Sequence, residues 1–226
     1  MTRAPRIAAP PLEASPTVLL LVDFINPLDF DGADALAPSA LAAARATARL
    51  RRQATRTGVQ TLYANDNYGV WRSDFKALWS RCRALRGAAG EIARLMKPRR
   101  DDLTILKPRH SAFYATPLGL LLRQLKCKRL VIAGLAADNC VLFTAMDAYV
   151  RGFSLWIPAD CVAAERDDAK ASALEHMRRT LKASVRASGD SVHVVLVHDR
   201  MSLAARDQPA VYRIGCSTGN QQRRSQ

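Results

Sequence analysis

The chain has 226 residues and a formal net charge of +14, because 34 Lys and Arg face 20 Asp and Glu. It contains no run of about 18 apolar residues, which excludes a transmembrane helix, and no apolar segment typical of a signal peptide near its start. The charge alone does not indicate a nucleic-acid partner, because no aromatic-basic motif accompanies the arginines.

Five cysteines are scattered along the chain without the spacing of a metal site. An odd number of separate cysteines favours reduced thiols in a cytoplasmic protein over a disulfide framework. Residues 1–16 are rich in Pro and Ala, so we expect a flexible N-terminal segment. We expect residues 17–198 to form one domain, and residues 199–226 to be a C-terminal extension that is partly disordered.

Apolar runs alternate with helical patterns over the central part of the chain. Strands are predicted at 17–24, 59–64, 103–106, 129–133, 153–157 and 192–197. Helices are predicted at 33–57, 73–82, 88–96, 117–126, 140–152 and 167–187. Apolar strands that alternate with helices indicate an α/β fold whose parallel sheet is covered on both faces.

Three chemically reactive side chains fall at the carboxyl ends of predicted strands. Asp23 ends the first strand, Lys107 follows the third, and Cys140 stands between the fourth strand and the next helix. In a parallel sheet these ends share one edge, so we expect the three side chains to converge. A carboxylate base, an ammonium group and a thiol together suit nucleophilic catalysis.

Each of the three residues also has a simpler interpretation. Asp23 could cap a turn, Lys107 could be a solvated surface charge, and Cys140 could be a small apolar filler. The position of Cys140 at a helix N-terminus predicts a lowered thiol pKa, because the helix dipole favours the thiolate. The occurrence of all three residues at strand ends favours a site.

Three segments resemble motifs of the isochorismatase-like cysteine hydrolases, a family that includes nicotinamidases, carbamoyl-amide hydrolases and isochorismatase. The segments are LLVDFIN at 20–26, KPRHSAFYAT at 107–116 and GLAADNCV at 134–141. The resemblance implies a Rossmann-like, three-layer α/β/α fold with a six-stranded parallel sheet. It also suggests a homodimer or homotetramer, since members of the family commonly assemble in that way.

The resemblance implies a role for each reactive side chain. Asp23 would be the base, Lys107 its charged partner and Cys140 the nucleophile. It further implies a cis peptide between Leu135 and Ala136. The backbone N–H groups of Ala136 and Cys140 would then form an oxyanion hole.

The sequence departs from the family pattern at several positions. Ile25 stands where the family often has Gln, and Ala137 stands where it often has Thr. Metal-binding nicotinamidases carry an acid with two nearby histidines after the second strand, whereas segment 65–68 contains Asp66 and no histidine. We therefore expect no metal and no other cofactor, which weakens nicotinamidase as the specific activity.

Aromatic residues cluster in loops at the same predicted edge of the sheet. Phe30, Trp71, Phe113 and Tyr114 are candidates for contacts with a small apolar or planar substrate. Loop packing or a subunit interface would explain their positions equally well. His110, which follows the lysine closely, either lines the site or is structural.

Together these features predict a cytoplasmic hydrolase that cleaves a C–N bond of a small amide or carbamoyl compound through a thioester on Cys140. One alternative is vinyl-ether hydrolysis of the isochorismatase type, which requires no thiol nucleophile. Another is a catalytically silent binding protein of the same fold. A third is a nucleic-acid binder that depends on the positive charge.

Overall fold

The structure is a computed structural model that describes residues 12–189. Its central feature is a parallel sheet with the strands β1 Thr17–Val22, β2 Gln60–Asp66, β3 Leu103–Lys107, β4 Arg129–Leu135, β5 Ser154–Trp156 and β6 Val162–Ala163. The strand order is β3-β2-β1-β4-β5, and β6 pairs with β4 nearer its carboxyl end than β5 does. The predicted α/β fold with a six-stranded parallel sheet is confirmed.

Helices cover both faces of this sheet. In the described region they are α1 Ala33–Arg56, α2 Phe75–Ala84, α3 Gly87–Leu95, α4 Leu118–Gln124, α5 Cys140–Val150 and α6 Asp167–Thr180. Within the same residues, no helix is long and apolar enough to cross a membrane.

The two layers of apolar packing follow from the alternation of side chains along each strand. Val18, Leu20 and Val22 of β1 belong to the core shared with α4, α5 and α6. Leu19 and Leu21 belong to the core shared with α1, α2 and α3. The arrangement is the three-layer α/β/α architecture that the family resemblance implies.

Strand β1 is buried along its whole length, and it pairs with β2 on one side and β4 on the other. Each fully buried Leu or Val side chain contributes roughly 1.5–3 kcal/mol to folding. Asp23 therefore follows a strand that is packed on both faces and hydrogen-bonded on both edges.

Gly134 allows β4 to approach β1 at their carboxyl ends. It pairs with Val22 and has a φ of +150°, and a Cβ at this position would lie 2.1 Å from the Val22 carbonyl oxygen. A side chain is therefore excluded by both the backbone conformation and the lack of space. This close approach brings the segment that leads to Cys140 alongside Asp23.

The sixth strand of the described region, Val162–Ala163, is one that the sequence did not predict. The strand predicted at 192–197 lies outside the described residues and stays a prediction. Two residues are too few to show an alternating pattern, so sequence periodicity missed this strand. The structure describes neither residues 1–11 nor residues 190–226. The predictions for the C-terminal extension and for most of the N-terminal segment therefore stay predictions.

Helix α6 ends at Thr180, so its predicted extension to residue 187 is wrong. Lys182 adopts a left-handed conformation with a φ of 54°, which diverts the chain from the helical path. Ser184 then pairs with Trp156, and the N–H of Ile157 donates to the Ser184 carbonyl at 2.8 Å. The segment after α6 extends the sheet next to β5.

Candidate active site

Asp23 lies immediately beyond β1 in a left-handed conformation, with a φ of 52°. This conformation is unusual for a residue other than glycine and must be held by its surroundings. The N–H of Asp23 donates to the Ala64 carbonyl at 3.1 Å, and the N–H of Asp66 donates to Asp23 Oδ1 at 2.7 Å. These bonds orient the buried carboxylate between the ends of β1 and β2.

Lys107 ends β3 and is fully buried. Its Nζ lies 2.8 Å from Asp23 Oδ2 and 3.6 Å from Asp66 Oδ2, and it donates to the Arg109 carbonyl at 3.2 Å. Because β2 lies between β3 and β1, the two backbones are separated by roughly 10 Å, or two strand spacings. The long side chain of Lys107 spans most of this separation and meets the Asp23 carboxylate, which extends from the other side.

Cys140 is the first residue of α5 and is partly exposed. Its Sγ lies 3.5 Å from Lys107 Nζ and 3.9 Å from His110 Nδ1. The structure thus brings together the three side chains predicted from the strand ends, and it adds a histidine beside the sulfur.

The pKa of the Cys140 thiol is raised to about 12, contrary to the lowered value predicted from its helix position. Burial is the largest cause and the Asp23 carboxylate adds to it, while Lys107 opposes both. Burial also raises the pKa of Asp23, and Lys107 only partly offsets it. The resting thiol therefore keeps its proton, and the adjacent carboxylate is a stronger base than an exposed aspartate.

The ammonium of Lys107 remains charged in this cluster. Burial alone would lower its pKa, but the negative groups around it, Asp23 first among them, raise it. A fixed positive charge next to the sulfur and the carboxylate favours the ionised form of either group. Burial is nevertheless the largest influence on the Cys140 thiol.

The segment that ends at Cys140 contains the two backbone N–H groups that the resemblance assigns to an oxyanion hole, those of Ala136 and Cys140. The Leu135–Ala136 peptide is cis, as the resemblance implied. The Ala136 carbonyl accepts from Asn139 and Val141, each at 3.1 Å. Across residues 12–189, no backbone carbonyl accepts from the N–H of Ala136 or Cys140. Their role as donors to an oxyanion stays a prediction.

The four predicted aromatic contacts do not form one cluster. Phe113 is buried in the core, where it packs against Phe153 with ring centroids 6.1 Å apart, and its contact with a substrate stays a prediction. Phe30, Tyr114 and Trp71 are 42%, 60% and 80% exposed, and their contact with a substrate stays a prediction. An aromatic residue in a sequence loop has no intrinsic preference for the pocket over the adjoining core.

A cavity of about 620 Å³ lies next to the reactive cluster. It is lined by the loops that follow β1 and β2, by α2 and its C-terminal turn, and by Leu106 of β3. Asp66 connects the two regions, because it lines the cavity and also approaches Lys107. A cavity of this size accommodates a small molecule. None of the predicted aromatic contacts lines it.

Asp66 is the site residue whose role sequence reasoning missed. The sequence identifies it only as an acid without neighbouring histidines, yet its N–H donates to Asp23 Oδ1 and its carboxylate lies near Lys107. Its place at the end of the second strand was the available signal. In the described part of the chain, no group of three or more His, Cys, Asp or Glu residues could hold a metal ion.

Comparison with known proteins gives this geometry a family context. Residues 17–189 match the model of the isochorismatase domain. YaaI, an isochorismatase family protein of Bacillus subtilis, is 37% identical over 167 residues, which are 74% of this chain and 91% of YaaI. Maleamate amidohydrolase of Pseudomonas putida is 27% identical over 158 residues, which are 66% of this chain and 73% of that enzyme.

A solved structure shares the fold as well. N-carbamoylsarcosine amidase of Thermoplasma acidophilum superposes with a TM-score of 0.60 at 25% identity, covering 77% of this chain and 98% of the amidase. The sequence matches extend over most of the described residues and include all three strand ends that carry the reactive side chains. The chain belongs to the isochorismatase family of hydrolases.

Proposed function

We propose that this protein is a cysteine hydrolase that cleaves the C–N bond of a small amide or carbamoyl compound through a thioester on Cys140. The observation that carries this proposal is the buried arrangement of Asp23, Lys107 and Cys140, with Lys107 Nζ 2.8 Å from the carboxylate and 3.5 Å from the sulfur. It places a base, a fixed positive charge and a nucleophile within one site.

The first step is proton transfer from the Cys140 thiol to the Asp23 carboxylate. Because the pKa of the Cys140 thiol is raised, the thiol stays protonated in the resting enzyme and transfers its proton as the sulfur attacks the substrate. The raised pKa of Asp23 makes that carboxylate a suitable acceptor. Lys107 keeps its positive charge and stabilises the negative charge as it moves from carboxylate to sulfur.

The thiolate attacks the substrate carbonyl and forms a tetrahedral intermediate. The N–H groups of Ala136 and Cys140 stabilise its oxyanion, which in other enzymes contributes about 10²–10³ in kcat for a single donor. As the C–N bond breaks, protonated Asp23 returns its proton to the nitrogen, and ammonia or an amine leaves.

Water completes the cycle by hydrolysing the thioester. Asp23, again ionised, accepts one proton from the water as the oxygen attacks the acyl carbon. The C–S bond breaks, the acid leaves and the sulfur recovers a proton from Asp23. No proton, electron or cofactor is consumed beyond the one water molecule, and the site returns to its starting state.

The class of substrate rests on the relatives and on the cavity. By their names, maleamate amidohydrolase and N-carbamoylsarcosine amidase act on an amide and a carbamoyl compound. The cavity of about 620 Å³ next to Asp66 offers room for the remainder of such a molecule. Its walls combine apolar Leu78 and Leu85 with charged Asp29 and Arg81, which suits a compact substrate with a polar group.

The test is release of ammonia or amine from a panel of small amides and N-carbamoyl compounds that includes maleamate and N-carbamoylsarcosine. We expect wild-type turnover of at least one compound and its loss in Cys140→Ala. Cys127→Ala is the matched control, because this buried thiol lies outside the cluster.

Two results would contradict the proposal. Cys140→Ala that hydrolyses the amide as fast as wild type would remove the covalent mechanism. A wild-type protein that is inert toward the amides but cleaves a vinyl ether, with equal activity in Cys140→Ala, would establish the alternative reaction instead. Inertness toward both classes would support the silent binding protein.

A further inference from the structure

We propose that His110 is a further catalytic residue, which donates a hydrogen bond from Nδ1 to the Cys140 sulfur and stabilises the thiolate. The inference rests on the proposed function in that it concerns the same nucleophile. It adds a second donor to the sulfur beside Lys107. The Nδ1 atom lies 3.9 Å from Sγ, within reach of a hydrogen bond to sulfur.

The contacts of Lys107 limit what this residue donates to the sulfur. An ammonium group carries three N–H donors. Lys107 Nζ lies 2.8 Å from Asp23 Oδ2, donates to the Arg109 carbonyl at 3.2 Å and donates to Cys140 Sγ at 3.5 Å, while Asp66 Oδ2 lies farther away at 3.6 Å. Lys107 therefore has one N–H for the sulfur, and a second donor to a thiolate has to come from another residue.

The histidine is held in place by the helix that carries the nucleophile. Its ring packs against Phe143 of α5, with centroids 5.3 Å apart. Directly after it, Ser111 Oγ donates to the Asp147 carboxylate, and the N–H of Ala112 donates to Thr144 Oγ1 at 3.0 Å.

All three anchors of this segment belong to α5, whose first residue is Cys140. His110 and the sulfur are consequently parts of one rigid unit. The imidazole needs little reorganisation to meet the charge that develops on the sulfur, which is the condition for effective electrostatic stabilisation.

The role of His110 leaves the proton balance of the reaction unchanged. The thiol proton moves to Asp23 and then to the leaving nitrogen, while His110 keeps its own proton throughout. The imidazole Nδ1–H shortens its contact with the sulfur as the thiolate forms and releases it when the C–S bond forms. His110 differs in this respect from a base that takes the thiol proton itself.

The experiment measures the rate of Cys140 alkylation by iodoacetamide at pH 7.5, followed by peptide mass spectrometry. His110→Ala removes the donor and also opens space at the sulfur, so a steric role predicts faster labelling and a donor role predicts slower labelling. We expect labelling about 10-fold slower or more, as for loss of a hydrogen bond to a charged group.

Two further variants separate the hydrogen bond from packing. His110→Phe keeps an aromatic ring against Phe143 but lacks the N–H. Cys140 in this variant should be labelled as slowly as in His110→Ala, and the variant serves in place of His110→Ala if the alanine variant folds poorly. His110→Asn restores a side-chain N–H and should recover most of the wild-type rate. His176→Phe, a change of an exposed histidine on α6, is the control and should leave the rate unchanged.

Labelling of His110→Ala and His110→Phe within twofold of wild type would overturn the inference. The assay needs no substrate, so it is separate from the amide panel. If the wild-type protein hydrolyses none of the amides but Cys140 is labelled slowly in the His110 variants, the proposed function is refuted and the contact between His110 and the thiolate is supported. Amide turnover that is unaffected in both variants, with unchanged labelling, would refute the contact alone.

Discussion

Within residues 12–189, two buried ion pairs can be compared, and of these the Lys107–Asp23 pair adjoins reactive groups. Lys107–Asp23 and Arg51–Asp102 have side chains that are all at most 7% exposed, with N–O distances of 2.8 and 2.5 Å. Burial and charge pairing alone therefore do not distinguish a catalytic pair from a structural one. The difference lies in what surrounds each pair.

The neighbours of Arg51 and Asp102 are structural. Arg51 donates to the Lys97 carbonyl at 2.8 Å, and Asp102 accepts from the N–H of Arg99 at 2.6 Å. The guanidinium also stacks 5.5 Å from the centroid of the Tyr63 ring. These contacts tie the end of α3 and the loop before β3 to α1.

The Lys107–Asp23 pair instead has a thiol and a second carboxylate beside it, with Cys140 Sγ 3.5 Å and Asp66 Oδ2 3.6 Å from Lys107 Nζ. Its charges therefore act on a thiol that carries a transferable proton. A candidate site is therefore identified by reactive neighbours whose hydrogen-bonding capacity is not yet used by the fold. Variants of one pair at a time separate the two kinds of ion pair.

The largest expected effect is the loss of turnover in Asp23→Asn. The amide cannot accept the thiol proton, so kcat for the best amide of the panel should fall by about 10³-fold or more. Asp102→Asn is the matched control and should change kcat per folded molecule less than twofold. Similar losses of kcat in both variants would mean that the two pairs do not differ in function.

The same control should show the larger loss of stability. Asp102→Asn leaves the buried guanidinium of Arg51 without its counter-charge, and breaking a buried pair in this way costs about 3–5 kcal/mol. Asp23→Asn leaves Asp66 next to Lys107 and should cost less. Urea denaturation of the two variants measures the order, and a more stable Asp102→Asn would reverse the comparison.

Alkylation gives the sign of the electrostatic effect of Asp23. Because this carboxylate raises the thiol pKa, Asp23→Asn should lower it, increase the thiolate fraction at pH 7.5 and speed Cys140 labelling about 10-fold. Turnover and labelling would then change in opposite directions. Slower labelling in Asp23→Asn would show that the carboxylate promotes thiolate formation at rest.

The wild-type pH profile follows from the same raised value. With a thiol pKa of about 12, labelling should rise nearly tenfold per pH unit from pH 7 to pH 10 without a plateau. A plateau that begins near pH 8 would indicate an ordinary or lowered thiol pKa. The rate constants come from timed quenching followed by peptide mass spectrometry.

Asp66→Asn should have the smallest effect. Its carboxylate is 30% exposed and lies 3.6 Å from Lys107 Nζ, so removal of its charge weakens the field at Lys107 only modestly. The backbone bond to Asp23 is retained, since it uses the N–H of residue 66. We expect a change of about two- to fivefold in kcat/KM. A loss as large as that of Asp23→Asn would assign this carboxylate to the reaction itself.

Much of the architecture could be predicted because it depends on short-range patterns. Apolar runs located the first five strands to within a few residues, and strand ends located Asp23, Lys107 and Cys140. The sheet rule then placed them at one edge. The resemblance contributed the roles of the residues and the cis peptide at Leu135–Ala136, which no periodicity reveals.

The remaining features depend on contacts between distant parts of the chain. The raised pKa of Cys140 reflects burial beside Asp23, which a helix-position argument does not contain. The core position of Phe113 reflects packing against Phe153. The proximity of His110 to the sulfur requires the anchoring of its segment on α5.

In the proposed mechanism, the Cys140 sulfur carries the acyl group of the substrate. Acid quenching during turnover of the best amide, followed by digestion and mass spectrometry of the peptide that contains Cys140, detects this group. We expect an increase in mass equal to the acyl group on this residue, absent from Cys127 and from Cys140→Ala. Turnover by Cys140→Ala at the wild-type rate, with no adduct in either protein, would contradict this mechanism.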